Sequence, residues 1–201
     1  MDRSDNVAGV VLAAGMSTRM GRNKLLLDLA GRSVLHRAVA TATTAGLDPV
    51  LVVLGHESER ARAELGTLPC TVVLNPEYQN GVNTSLRTGI RAVPDHCPAA
   101  IVLLADMPLV DAAMLRALLA QYRAGSAPLV VSSYDGVDAP PILYDRALFP
   151  ELRVLEGEGC GKKVVKLHTA EAIRVRWPVQ ALTDLDVPAD LDRVRAQLSG
   201  E

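Results

Sequence analysis

The sequence predicts a three-layer α/β/α sandwich around a mainly parallel sheet. Short aliphatic runs alternate along the chain with longer segments of helical period. The runs are apolar throughout rather than at every second residue, the pattern of strands buried on both faces. Aromatic residues make up only 3% of the chain, so its core must be aliphatic.

The strand candidates are residues 7–13, 50–54, 71–74, 99–104 and 129–132. Helical patterns lie between them at 33–45, 57–65, 84–92 and 111–123. Ser33 and Asp111 stand where N-caps belong, and Gly46 where a helix stops. Strand and helix in turn imply a parallel sheet covered on both sides. The alternation weakens after residue 133. Residues 134–141 are turn-rich, with Asp135-Gly136 and Pro140-Pro141. A short strand at 142–144, a short helix at 146–152, a helix at 162–168, a strand at 172–175 and a closing helix at 189–198 complete the expectation. A length of 201 residues suits a single domain, with a nucleotide-binding half at 1–133 and an acceptor-side and closing segment at 134–201.

Hydrophobic residues are 49% and charged residues 22%, ordinary values for a globular chain. The net charge of −2 gives no broad basic surface, so nucleic acid is not an expected partner. Cys70, Cys97 and Cys160 are scattered and show no CxxC, which argues against a disulfide framework or a zinc site. They read as reduced thiols of a cytoplasmic protein. The N-terminus lacks a signal layout, and no window approaches a membrane span.

Strand 7–13 runs into Ala14-Gly15-Met16-Ser17-Thr18-Arg19-Met20-Gly21. In a parallel sheet, ligands lie beyond the carboxyl ends of the strands. Gly15 lets backbone approach a phosphate, successive amides can form an anion nest, and Arg19 and Lys24 add two cations. GxGxxG and the Walker pattern are both absent. Spacing alone also fits an ordinary strand-to-helix loop with surface cations.

The run LAAGMSTRMGRNK resembles the LAAGxSxRMGxxK motif of small cytidylyl- and guanylyltransferases, most closely the molybdenum cofactor cytidylyltransferase group. The resemblance implies a nucleotide-diphospho-sugar-transferase-like, Rossmann-like fold and a Mg²⁺-dependent nucleotidyl transfer. It also implies that Leu12, Ala13, Ala14 and Gly15 line the nucleotide while Arg19 and Lys24 contact its phosphates. Relatives with LAAG often use pyrimidine nucleotides and guanylyl-transferring ones usually read LAGG, so CTP is the preferred donor and GTP the alternative.

Residues 101–108, IVLLADMP, form an apolar strand that ends in a carboxylate. Asp106 therefore lies at the same edge as the glycine loop, either as a loop or capping aspartate or as a Mg²⁺ ligand. LADMP resembles the family's metal-binding motif. The segment TDLDVPADL at 183–191 is similar to the family's DIDTPEDL, which makes Asp186 the preferred second ligand and Asp184 the alternative. Asp190 reads as a cap of the last helix. NPEYQNGVNTSLRTG at 75–89 resembles NPxxxxGxxxSLRxG, in which the glycine and serine approach the base. Gly81 and Ser85 are their counterparts; the plain alternative makes Thr84 or Ser85 a helix cap.

The acceptor side departs from the pattern. Asp138-Ala139-Pro140 stands where relatives usually read GHP, and Gly157-Glu158-Gly159-Cys160-Gly161-Lys162 where they read GDxGAR. Replacing arginine by lysine loses a bidentate fork. Lys162 and Lys163 are either acceptor-phosphate contacts or surface lysines. The resemblance implies a molybdopterin-type acceptor. The rivals are an isoprenoid or sugar phosphate acceptor, and a nucleotide-binding maturation chaperone serving a molybdoenzyme.

Overall fold

The computed structural model describes residues 6–17, 20–125, 127–185 and 187–199. In chain order the elements are β1 (Ala8–Ala13), α1 (Val34–Thr44), β2 (Val50–Leu54), α2 (Ser58–Leu65), β3 (Thr71–Leu74), α3 (Val82–Ala92), β4 (Ala99–Leu104) and α4 (Ala112–Ala124). They continue with β5 (Leu129–Tyr134), β6 (Val137–Asp145), α5 (Phe149–Leu152), α6 (Lys162–Leu167), β7 (Ala172–Trp177) and α7 (Pro188–Ser199). The caps read from the sequence form. Ser33 Oγ accepts from the His36 amide at 3.2 Å and Asp111 Oδ1 from the Met114 amide at 2.8 Å. Gly46 ends α1 at φ 84°, a left-handed stop that suits glycine.

The strands form one sheet in the order β3-β2-β1-β4-β6-β5-β7. Only the pairings made by β6 are antiparallel. Successive residues of a strand point to opposite faces. In β1, Val11 and Ala13 enter a core shared with α1, α4 and α7, while Val10 and Leu12 enter a second core shared with α3, α5 and α6. The result is the expected three layers. α3 presses closely on β1, because Gly89 brings no Cβ against Val10 and Val53.

Several boundaries shift by one or two residues, and two differences bear on the site. α3 begins at Val82 with Gly81 as its cap, so Thr84 and Ser85 sit inside the first turn and do not cap it. The turn-rich stretch 134–141 turns out to be mostly strand. Asp135 and Gly136, both at positive φ, make a tight hairpin turn between β5 and β6. Pro140 and Pro141 lie within nine-residue β6 at a register shift, where the missing amides break no ladder. Ser132 Oγ donates to the Pro141 carbonyl at 2.7 Å, and Tyr134 Oη to the Pro140 carbonyl at 2.8 Å. Side chains thus replace the lost backbone partners.

Candidate active site

β1 and β4 are parallel neighbours, with Leu12 opposite Leu104. Chain order reverses around β1, so the crevice beyond these two strands is a topological switch point. The Ala105 amide donates to the Leu12 carbonyl at 3.1 Å, locking the two strand exits together. The stretch 14–17 leaves β1 there and Asp106 leaves β4. A Cβ built on Gly15 would meet nothing within 4 Å, so that backbone faces open space.

Lys24 is aimed by its neighbours. Its amide donates to Ser17 Oγ at 3.1 Å, and buried Asn23 caps the short turn it begins by accepting from the Leu25 amide at 3.1 Å. Its Nζ reaches Asp106 Oδ2 at 2.5 Å, with the two side chains 12% and 22% exposed. The Leu185 amide donates to the Asp106 carbonyl at 3.0 Å, which carries the closing segment against this corner. Asp184 lines the same cavity. Arg19 and Asp186, the expected phosphate contact and second metal ligand, lie outside the described residues.

On the other side, the buried Asn75 amide donates to Thr84 Oγ1 at 2.9 Å and to Ser85 Oγ at 3.0 Å. Ser85 therefore accepts behind and keeps its own proton to donate into the cavity. Gly81 has φ 99°, and a Cβ there would come within 2.5 Å of the Gly157 carbonyl oxygen. Only glycine fits this crossing of two backbones.

The crossing is fixed by Asn83. Its side-chain amide donates to the carbonyls of Glu156 at 2.9 Å and Glu158 at 2.7 Å, while its oxygen accepts from the Gly161 amide at 3.1 Å. The first turn of α3 thereby holds the glycine-rich loop 156–161 in place. That loop forms the far wall with Asp138, Ala139 and Pro140 of β6. Asp138 pairs with Arg174 of β7. Burial, with the Asp106 carboxylate adding to it and Lys162 opposing it, pushes the Cys160 thiol up to about 12. It stays a neutral wall group and no nucleophile.

These pieces enclose one cavity of about 690 Å³. Of the residues picked from sequence, it gathers Leu12, Ala13, Ala14, Gly15, Lys24, Gly81, Ser85 and Asp106, together with Lys162. Lys163 is exposed and takes no part in the lining. Arg87 instead forms an ion pair with Glu77, and His56 lines a separate depression beside Glu57. Asn75 opens the motif at 75–89 but was given no role, and Asn83 was not singled out by sequence. The available signal was an asparagine two residues after a glycine, and it gives no hint of the distant partners of Asn83. Among the described residues, no group of three or more His, Cys, Asp or Glu forms a ready metal cluster.

Comparison with known proteins agrees with this fold and shows its family. Purine catabolism protein PucB of Bacillus subtilis (strain 168) is 31% identical over 98% of this chain and its own full length. The crystal structure of a homologue of Mycobacterium tuberculosis Rv0371c, from Mycobacterium sp. strain JC1, superposes with a TM-score of 0.85 at 25% identity, over 99% of this chain and 98% of that one. Rv0371c from M. tuberculosis H37Rv in complex with manganese superposes at 0.79 with 26% identity, over 96% and 99% of the two chains. Residues 9–173 match the MobA-like NTP transferase domain. The chain belongs to the MobA-like NTP transferase family and is a nucleotidyltransferase.

Proposed function

We propose that the chain transfers a cytidylyl group from CTP to a phosphorylated acceptor, a molybdopterin-type cofactor, with release of pyrophosphate. The observation that carries this reading is the meeting of a phosphate-type loop, Lys24 and Asp106 at one end of a cavity whose other end holds Ser85. An acceptor phosphate oxygen attacks the α-phosphorus, the bond to the β-phosphate breaks, and pyrophosphate leaves. No covalent enzyme intermediate is required, because positioning and charge stabilisation suffice for such transfers. Lys24 and the amides of 14–17 face the phosphates, Arg19 joins them in this reading, and Ser85 and Gly81 meet the base.

The donor chemistry of the corner suits a hard divalent cation. Asp106 and Asp184 offer carboxylate oxygens, and Mg²⁺ is commonly held by one or two carboxylates plus substrate phosphate. Mg²⁺, when bound, would neutralise phosphate charge and orient the leaving group. Asp106 is proposed as a ligand together with Asp186. That Rv0371c, a structural relative, has been obtained in complex with manganese supports the use of a divalent ion.

Asp106→Ala should lower Mg²⁺-dependent pyrophosphate release by about 10²-fold or more, the scale of losing a key electrostatic group. Release retained at the wild-type rate would sink the mechanism. A screen of four nucleoside triphosphates, with and without molybdopterin, reads the donor and acceptor. A second reading keeps the donor and changes the acceptor to a sugar or isoprenoid phosphate. It is favoured by Asp138-Ala139-Pro140 standing where relatives usually read GHP, so that Ala139 takes the place of the histidine.

A further inference from the structure

Asn75 follows the last residue of β3 and is buried, with its backbone amide donating to the Leu54 carbonyl at 2.8 Å. The Glu77 amide donates to Asn75 Oδ1 at 3.0 Å. A backbone N–H can only donate, so this contact settles which end of the side-chain amide carries the oxygen. Nδ2 is left to face two hydroxyls, Thr84 Oγ1 at 2.9 Å and Ser85 Oγ at 3.0 Å. Both of its hydrogens are thereby used, and both hydroxyls must accept.

The two hydroxyls differ in where their own protons go. Thr84 turns its proton back to the chain, where the carbonyls of Gly81 at 2.9 Å and Glu77 at 3.0 Å receive it. Ser85 lines the cavity and donates to no acceptor among the described residues. It is buried, so a ligand atom set against it with the wrong polarity leaves two polar groups unpaired. The atom opposite Ser85 must therefore be an acceptor.

Cytosine and uracil share one shape and differ in polarity at two edge positions. Ring nitrogen 3 is a bare acceptor in cytosine and an N–H donor in uracil. Position 4 carries an amino donor in cytosine and a carbonyl acceptor in uracil. We propose that Asn75 sets the choice between these bases, by holding Ser85 as a donor towards nitrogen 3 of cytosine. Uracil would bring its own N–H against the serine proton. Asn75 touches no nucleotide and is a positioning residue that acts through Ser85. The choice of nitrogen 3 rests on CTP being the donor nucleotide; the direction of the Ser85 proton does not.

Calorimetric titration with CTP, UTP and inorganic tripolyphosphate, each with Mg²⁺, tests it. Wild-type protein should bind CTP about tenfold or more tightly than UTP, the scale of one buried hydrogen-bond mismatch. Asn75→Asp keeps an oxygen for the Glu77 amide but shows the hydroxyls only acceptors. Ser85 then turns its proton inward and offers the cavity a lone pair, so UTP should bind more tightly than CTP. Because a buried carboxylate can prevent folding, Asn75→Ala is the second variant. It leaves the Ser85 hydroxyl free to turn and should bring CTP and UTP within about twofold of each other. Tripolyphosphate has no base and should bind all three proteins alike. An unchanged preference in either folded variant, equal binding of CTP and UTP by the wild type, or a loss of tripolyphosphate binding that matches the loss of CTP overturns the proposal. A wild type that prefers UTP instead removes CTP as the donor and sets position 4 of uracil at Ser85; Asn75→Asp should then favour CTP.

Discussion

Asn83 shows how much a single residue can hold. Its amide makes three hydrogen bonds to a loop 73 to 78 residues away, and its own backbone amide donates to the Gly157 carbonyl at 3.0 Å. Asn83→Ala should destabilise the fold by about 1–3 kcal/mol, because buried backbone groups lose their partners. Urea unfolding should show a lower midpoint at unchanged slope. Acceptor KM should rise more than CTP KM if the loop stands on the acceptor side as proposed; an equal rise in both would put the loop on the nucleotide side. Sequence revealed Gly81 and Ser85 through a motif but not Asn83. A polar residue in a first helical turn looks the same whether it faces solvent or clamps a distant loop.

Elements were legible where they repeat a simple period. β2, β3 and β4 begin and end where their aliphatic runs do. β6 was legible only at 142–144, because the two prolines before it normally argue against a strand and their tolerance depends on a neighbour. That neighbour is β5, whose Ser132 and Tyr134 hydroxyls replace the ladder. Ser132→Ala leaves the buried Pro141 carbonyl unpaired and should cost about 1–3 kcal/mol in urea unfolding; a change within error would mean the bulge is held by packing alone. A second link joins α5 to the end of α6. His168 Nε2 meets Glu151 Oε1 at 2.8 Å, and Nδ1 meets Glu171 Oε1 at 3.4 Å. The hydrogen bond to Glu151, with Glu171 adding to it, raises the imidazole above its ordinary value of 6.5. A raised histidine contributes fully below the unfolded value and loses its contribution as pH climbs through the folded one. The stability gap between wild type and His168→Asn should thus be about 0.5–1 kcal/mol at pH 6 and smaller at pH 9, given the solvent around these groups.

The whole molecule adds what no run of residues states, namely the order of the strands. Aliphatic runs predict a sheet, but the placement of β6 antiparallel beside β4 follows from the hairpin and from the space left at that edge. The same assembly brings the chain's last quarter back to the exit of β4, beside that of β1, through the Leu185 amide on the Asp106 carbonyl. The corner proposed for the nucleotide therefore contains the stretch 14–17 and the stretch 182–185, which are remote in sequence. A ligand that fills the corner should stabilise both together. MgCTP at about a hundred times its Kd should add about 2.7 kcal/mol. For a chain of this size that corresponds to a rise in Tm of about 5–10 °C. The rise should shrink when EDTA removes Mg²⁺, and Asp106→Ala should lose most of it. Hydrogen exchange reads the coupling directly, since opening of each segment is a local equilibrium. Residues 14–17 and 182–185 should gain protection together on adding MgCTP. Protection confined to 14–17 would mean that the closing segment only packs against Asp106 and takes no part in holding the nucleotide.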